Sequence, residues 1–572
     1  MPTPEDLFAQ MTAEGDVALH RLDHWAATTP DKVCIHYGET GLDLSFRDVQ
    51  SRADAYAAGL AALGVRRGEP VSVLTNNSLA AAIAMFACWR CGALYAPVNF
   101  NLRGRLLSYQ INDTGARVLI TDPGFTEVLA TVAADVAPEH LVVMPSDYGS
   151  AQPGPERMDA GLRGTAVHAV SELTRVPGPA PDEPLGPFDP ATVIYTSGTT
   201  GPAKGVVLGH RWINQYTFGG RSQWNEDDVV YCDLPMYHVG GAYALLVRGV
   251  WNGNTVALWN RFSASGFWDR IARSGATTCI LLDAMVSWLM SAPERSDDRA
   301  NTLNKVHMQP LPANHNQVAR RFGFDFVTCG FGQTESGSGF MAIVDEFGTE
   351  AGTPAEYYRG LGRRTYLERA SSNGRLVVDG TQALPKGFMG HPSALLDAAV
   401  VDDDDYPVPP GTVGQLVFRP RFPGLLMQSY LNKPEATLKA CRNLWFHTGD
   451  ACLQETDGTF RFIDRMGGYF RVHGENVSSF EVESVINDHP GIRATAAVPV
   501  PAREGDEDEI AVFVECHDDA GVSESELTAY AQRELPRYMQ PAYIRLVEAL
   551  PVTPTNKVEK YKLKEQLLAE RQ

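Results

Sequence analysis

Residues 195–205 read Tyr-Thr-Ser-Gly-Thr-Thr-Gly-Pro-Ala-Lys-Gly, which places four Ser/Thr hydroxyls, three glycines and one lysine in eleven positions directly after an apolar run. Hydroxyls and backbone amides donate to phosphate oxygens, glycine lets the backbone approach them, and lysine supplies counter-charge. Thr196, Ser197, Gly198, Thr199, Thr200 and Lys204 are therefore candidates for holding a polyphosphate. The Walker A spacing is not met, because Lys204 stands between Ala203 and Gly205 rather than in Gly-Lys-Ser/Thr. On composition alone the segment also suits a plain turn. Two other clusters invite chemistry and have simpler readings. Cys88-x-x-Cys91 lacks a second pair at zinc spacing and reads as helix neighbours. Asp402–Asp405 could suggest a calcium site but reads as an exposed hairpin tip.

The complete order of residues 195–205 resembles the phosphate-loop signature of the acyl-adenylate-forming superfamily, which includes acyl-CoA synthetases, peptide-synthetase adenylation domains and firefly-type luciferases. Further matches follow in the family's order and cover nearly the whole chain. Gly92-Ala93-Leu94-Tyr95-Ala96-Pro97 resembles the early Gly-Ala-x-Tyr-x-Pro element. Phe331-Gly332-Gln333-Thr334-Glu335 resembles Tyr-Gly-x-Thr-Glu. The resemblance implies that Phe331 packs on adenine beside Gly332, that Thr334 meets the adenylate phosphate and that Glu335 helps to hold Mg²⁺. Trp445-Phe446-His447-Thr448-Gly449-Asp450 resembles the segment whose Asp binds both ribose hydroxyls, with Phe462 and Arg465 further along the adenylate site. Pro551–Lys560 resembles the catalytic-lysine segment and makes Lys557, together with Glu335, the catalytic candidate.

By the same resemblance His238, in Pro235-Met236-Tyr237-His238-Val239-Gly240-Gly241, and Gly330 line the acyl pocket. Gly474-Glu475-Asn476-Val477 lines the thiol tunnel, and the hinge lies at 465–468, where Gly467-Gly468 replaces the usual Lys or Asp followed by Asp. The activity implied is acyl-CoA formation from a carboxylic acid through an acyl-adenylate, with ATP, Mg²⁺ and CoA. The His238 element lacks the Asp with which amino-acid-activating domains grip an amine, which favours an apolar or ring-containing acid. Two departures keep alternatives open. His307-Met308-Gln309-Pro310-Leu311-Pro312 stands where the family has a small Gly-Gly-Ala loop, and the stretch from Glu335 to Gly390 is long, with Tyr357–Asn373 read as a surface excursion. The alternatives are a paralogue that thioesterifies an adenylate supplied by a partner adenylating enzyme, a fatty acyl-AMP ligase loading a carrier protein, and a non-catalytic adenylate binder. A homodimer is left open.

These residues need a scaffold, and the chain is large enough to supply one. It has 572 residues, 44% hydrophobic and 21% charged, which suits a globular protein of more than one domain. A net charge of −20 argues against a general nucleic-acid partner, since phosphate backbones are held by Lys and Arg. No run is long enough to span a bilayer: the apolar stretch Ser78–Trp89 stops at Arg90. The acidic start, MPTPEDLFAQ, predicts no signal peptide, and nine scattered cysteines predict a reducing, cytoplasmic setting.

Short β runs alternate with helical patterns, so the expected class is α/β. Val33–Tyr37, Val71–Leu74, Val118–Thr121 and Thr192–Tyr195 read as strands. Ser45 with Asp48 caps a helix over Phe46–Leu63, Ser478 with Glu481 caps another, and Ala151–Pro187 reads as loop. The expected organisation is a large N-terminal unit, 1–464, of β-sheets flanked by helices plus a small β-barrel-like part. A small mobile α+β domain, 465–572, carries Lys557.

Overall fold

The computed structural model describes the chain apart from residues 1, 177, 199, 200, 386, 467, 468, 473, 474, 504–506, 518–520, 552–557 and 572. For 197, 198, 201, 464, 465, 469, 476, 480 and 561 it describes the backbone alone. The chain divides into two units. One comprises Met1–Phe100, Ile111–Ile194 and Gly205–Ile463; the other comprises Asn101–Gln110, Tyr195–Lys204 and Asp464–Gln572. The smaller unit thus includes two excursions from the N-terminal sequence, one of them the candidate phosphate loop.

The larger unit is built on two mixed sheets. In a 14-stranded sheet the central run is parallel, with Val33–Tyr37, Thr255–Leu258, Val229–Cys232, Thr278–Leu282, Lys305–Gln309 and Phe326–Gln333 side by side. Gly337–Asp345 then folds back antiparallel on Phe326–Gln333. The part expected to be barrel-like is the antiparallel run Leu396–Val401, Val413–Pro420, Phe446–Gln454, Phe460–Arg465 and Phe388–Pro392, whose last strand also pairs with Gly337–Asp345 and so continues into the large sheet. An eight-stranded sheet runs from Ser429–Tyr430 through Gly201–Gly209, Pro190–Gly198, Leu94–Pro97, Pro70–Leu74, Val118–Thr121 and His140–Val143 to Ala166–Ala169. Parallel strands require helical crossovers. Ser78–Arg90 supplies one between Pro70–Leu74 and Leu94–Pro97, while Phe46–Ala62 leads from the larger sheet to the smaller, with Ser45 and Asp48 forming the expected reciprocal cap. Ser78–Arg90 is buried on every face from Ser78 to Trp89, which accounts for its unbroken apolar sequence.

Three readings need correction here. Ala151–Pro187 is not all loop: Ala166–Ala169 is a parallel edge strand on His140–Val143, with Val170–Leu173 helical after it. Its shortness and exposure, amid Pro- and Gly-rich neighbours, hid the strand pattern. The long stretch after Glu335 is not a surface excursion either. Helix Arg363–Ser372 buries Tyr366 and Ala370, and Leu376–Asp379 pairs in parallel with Gly337–Asp345, so the segment forms a complete β-α-β crossover. Tyr366 stacks on Phe326 with centroids 4.2 Å apart. A buried ion pair between Lys305 and Asp228, 2.8 Å, holds the start of the crossover, because Asp228 also accepts the Leu361 amide at 3.1 Å. Third, Asp405 is no solvated tip. Its side chain is 5% exposed and receives Arg442, Asn443 and His447.

The smaller unit holds a three-stranded sheet, Ile492–Pro501, Asp508–Cys516 and Tyr543–Val547, and a hairpin of Tyr469–Val472 with Glu475–Ser478. Helices Ser479–Asn487 and Glu524–Glu534 give it a core around Val482, Ile486, Leu527 and Ala531. Among the described residues no helix is long and apolar enough to cross a membrane.

Candidate active site

In the larger unit the hairpin of Phe326–Gln333 and Gly337–Asp345 carries the Phe331–Glu335 motif at its tip. Gly330 faces Met341, and a Cβ there would overlap the Phe340 carbonyl, so the pairing requires glycine. The register shifts between Phe331 and Gly332, which separates their surroundings: Phe331 packs among Phe340 and Phe418, while Gly332 is exposed. Thr334 is buried in the turn. Glu335 is half-buried; its carboxylate accepts the Tyr430 hydroxyl at 3.1 Å and its carbonyl accepts the Met427 amide at 2.8 Å.

The Trp445–Asp450 motif meets the Phe331–Glu335 motif directly. Asp450, fully buried on Phe446–Gln454, accepts Gln333 Nε2 at 2.5 Å, and the same amide group donates to the Thr448 carbonyl at 2.9 Å. Gly449 between them takes φ +74°, a conformation that glycine adopts without strain. Thr448 is itself anchored, since its hydroxyl donates to the Leu416 carbonyl and accepts the Asp450 amide. Phe462 lies half-buried against the core, and its amide donates to the Gly387 carbonyl at 2.8 Å. His238 is exposed, and its Nδ1 accepts the Gly240 amide at 3.2 Å. The strand Lys305–Gln309 carries the departure at His307: its two ring nitrogens lie 3.0 Å from Thr328 Oγ1 and 3.1 Å from Gln309 Oε1. Burial, reinforced by the Arg248 charge, lowers the imidazole to about 4, so His307 is neutral near pH 7.

In the smaller unit Thr196 lies on Pro190–Gly198 and Lys204 on Gly201–Gly209. The carbonyl next to Lys204, that of Ala203, accepts the Tyr109 hydroxyl at 2.8 Å. The Ala203 amide donates to Glu481, which also takes the Ser478 amide. Burial nevertheless pushes Glu481 up to about 7. The expected capping box at this helix is therefore only half formed: the Ser478 side chain makes no capping bond, and Glu481 serves the 195–204 segment as well as its own helix. For Ser197 and Arg465 the structure describes only the backbone, as it does for Gly198. Thr199, Thr200, Gly467, Gly468, Gly474 and Lys557 lie outside the described residues.

The structure thus brings together Glu335 and Asp450 through a residue that sequence reasoning passed over, Gln333, the variable position of its motif. Tyr430 was invisible for a different reason. It is 95 positions from Glu335 and carries no pattern of its own. Glu481 had a visible signal, the Ser-x-x-Glu spacing, but that signal pointed only to a helix start.

Comparison with known proteins adds independent evidence. The AMP-binding enzyme family pattern matches residues 22–431, and the AMP-binding enzyme C-terminal domain pattern matches 481–557. Feruloyl-CoA synthase of Amycolatopsis sp is 27% identical over 552 residues, covering 94% of this chain and 96% of that protein. A medium/long-chain-fatty-acid–CoA ligase of Mycobacterium tuberculosis is 27% identical over 553 residues, covering 95% and 84%. Among solved structures, a double mutant of o-succinylbenzoate CoA synthetase from Bacillus subtilis superposes with a TM-score of 0.74 at 22% identity, covering 95% of this chain and 98% of that one.

Proposed function

The chain belongs to the AMP-binding enzyme family, and we propose that it is an acyl-CoA ligase, joining a carboxylic acid to CoA through an acyl-adenylate at the expense of ATP. The observation that carries this reading is the Gln333–Asp450 contact, which binds the Thr334–Glu335 turn to the Thr448–Asp450 strand. Two segments far apart in sequence are thereby held together within one unit, with Thr334 assigned to the phosphate, Glu335 to a metal ion and Asp450 to the ribose.

The chemistry calls for this inventory. In the first step a carboxylate oxygen attacks the α-phosphorus of ATP and pyrophosphate leaves. Two unit charges at ~4 Å repel by roughly 4 kcal/mol at an effective dielectric near 20, about a thousandfold in rate. Lys557 is assigned the bridging cation, and the 195–204 segment with Lys204 the leaving pyrophosphate. Asp450, an acceptor with two oxygens, suits the two ribose hydroxyls. Glu335 fits a Mg²⁺ ion, because a half-buried carboxylate on a turn is the kind of single protein donor that this ion uses beside substrate phosphates. When bound, the ion would neutralise phosphate charge. In the second step the CoA thiol attacks the acyl carbon and AMP leaves, with the Gly474 loop assigned to the pantetheine arm and Gly467-Gly468 to the hinge.

The test is a panel of carboxylic acids incubated with ATP, Mg²⁺ and CoA, with acyl-AMP and acyl-CoA measured by mass spectrometry. Acyl-CoA and AMP accumulate with at least one acid if the reading holds. Acyl-AMP that transfers only to a phosphopantetheinylated carrier would replace it with a carrier-loading ligase.

A further inference from the structure

Helix His210–Arg221 carries two consecutive glycines, Gly219 and Gly220, just before its last residue, and a guanidinium lies against each. A Cβ at Gly219 would stand 3.0 Å from Arg375 Nη2, and one at Gly220 would overlap the Arg248 guanidinium. Glycine is a poor helix former, and here the missing side chains make room for two cations.

Among the described residues neither cation meets an acid. Arg248 is 9% exposed; its Nη2 donates to the Tyr216 carbonyl at 3.2 Å and its guanidinium lies 5.4 Å from the Trp224 ring centroid. Its Nε is buried with no hydrogen-bond partner, and so is Nε of Arg375. Burial lowers both to about 10; Tyr216 acts on Arg248 and Tyr366 on Arg375, while Arg375 and Arg221 add like charge beside Arg248. His307, neutral, faces the same cluster. Lys305, Arg363 and Arg90 have acid partners, Asp228 at 2.8 Å, Asp325 at 3.2 Å and Asp54 at 2.7 Å. Buried Arg221 instead donates to neutral oxygens of Met11, Asn214 and Thr217, an acceptor set that Arg248 and Arg375 lack at Nε. Two desolvated guanidiniums without a counter-charge are costly unless an anion arrives from outside.

The elements that hold them connect, along the chain or by strand pairing, to the residues assigned to the acid, His238 and Gly330. Arg248 directly follows the helical stretch Gly240–Val247, which begins just after His238. Arg375 precedes Leu376–Asp379, which pairs with Gly337–Asp345, the partner of the strand carrying Gly330. Resting on the reading of the chain as an acyl-CoA ligase, we propose that Arg248 and Arg375 bind a second anionic group of the acid substrate, a carboxylate or sulfonate remote from the carboxylate that is activated. The planar guanidinium fork matches such a group in two-point fashion. An acid with a neutral tail would leave both cations unpaired, which is the kind of mismatch that polar sites reject by large factors.

The experiment compares acids of one skeleton in the wild-type enzyme: succinate, adipate, suberate, terephthalate and para-sulfobenzoate against butyrate, hexanoate, octanoate and benzoate, with acyl-CoA as readout. The expected result is a kcat/KM for the best doubly anionic acid at least about 100-fold above its neutral-tailed counterpart. Arg375→Lys and Arg248→Lys should each reduce that ratio by about tenfold or more, and a carboxylate or sulfonate preference identifies the anion. Acyl-CoA formation with the neutral-tailed acids equal or favoured overturns the proposal and leaves the ligase reading standing. A ratio unchanged in both variants overturns it too. Absence of adenylate and thioester with every acid overturns the ligase reading itself.

Discussion

Gln333 and Asp450, 117 positions apart, share a hydrogen bond of 2.5 Å, and through it a hairpin tip and a neighbouring strand become one surface. A neutral amide that donates to a buried carboxylate fixes its orientation without cancelling its charge, which is what a ribose-binding acceptor needs.

Gln333→Ala removes that donor and leaves Asp450 to reorient. A hydrogen bond to a charged group is worth about 1.5–3 kcal/mol, so kcat/KM for ATP should fall by roughly ten- to a hundredfold, mainly through KM. Steady-state kinetics at varied ATP check this. An unchanged KM would mean that Asp450 is positioned without Gln333.

Glu481 predicts an unusual pH dependence for the smaller unit. Its carboxyl rises from 4.5 to about 7 on folding. Folding therefore takes up a proton: the contribution is complete below pH 4.5 and is lost as pH rises through 7. The shift corresponds to roughly 3 kcal/mol. Glu481→Gln should gain stability relative to wild type in thermal denaturation at about pH 8 and not at about pH 5. Parallel pH profiles for the two proteins would contradict it.

Asp405 works in the opposite direction. Burial favours its neutral form, but hydrogen bonds from His447, Asn443 and Arg442 outweigh burial and hold the carboxyl down at about 2. Its stabilisation is present above the ordinary value of 3.8 and is lost as pH falls through 2. Asp405→Asn should lower stability near neutral pH by about 1–3 kcal/mol. The deficit should shrink in acid, as read from denaturant melts across that window.

The Lys305–Asp228 pair predicts an asymmetric mutational response. Asp228→Ala strands a buried lysine and should cost about 3–5 kcal/mol, whereas the double change Lys305→Met with Asp228→Leu should recover much of it. Chemical denaturation of the two variants distinguishes a required pair from an interchangeable one.

The parts of this molecule that could be read in its sequence are those whose signal is local. The Ser45–Asp48 cap, the apolar helix Ser78–Arg90 and the alternating β runs are written in neighbouring residues, and each has the structure its pattern implies. What escaped is set by tertiary contact. Ala166–Ala169 is a strand only because His140–Val143 offers an edge. Arg363–Asp379 looks polar because its apolar residues are few, yet Tyr366 and Ala370 suffice to seat it on Phe326 and Ile343. In the site, motif order located Glu335 and Asp450, while Gln333 and Tyr430, which hold them, carry no signature.

The adenylate intermediate is the step that ATP–pyrophosphate exchange in the absence of CoA measures most directly. With an acid that yields acyl-CoA, labelled pyrophosphate should enter ATP only when that acid is present. Lys557→Ala should lose this exchange yet still form thioester from supplied acyl-adenylate and CoA. Exchange that does not depend on the acid, or equal loss of both half-reactions in the variant, would contradict the mechanism.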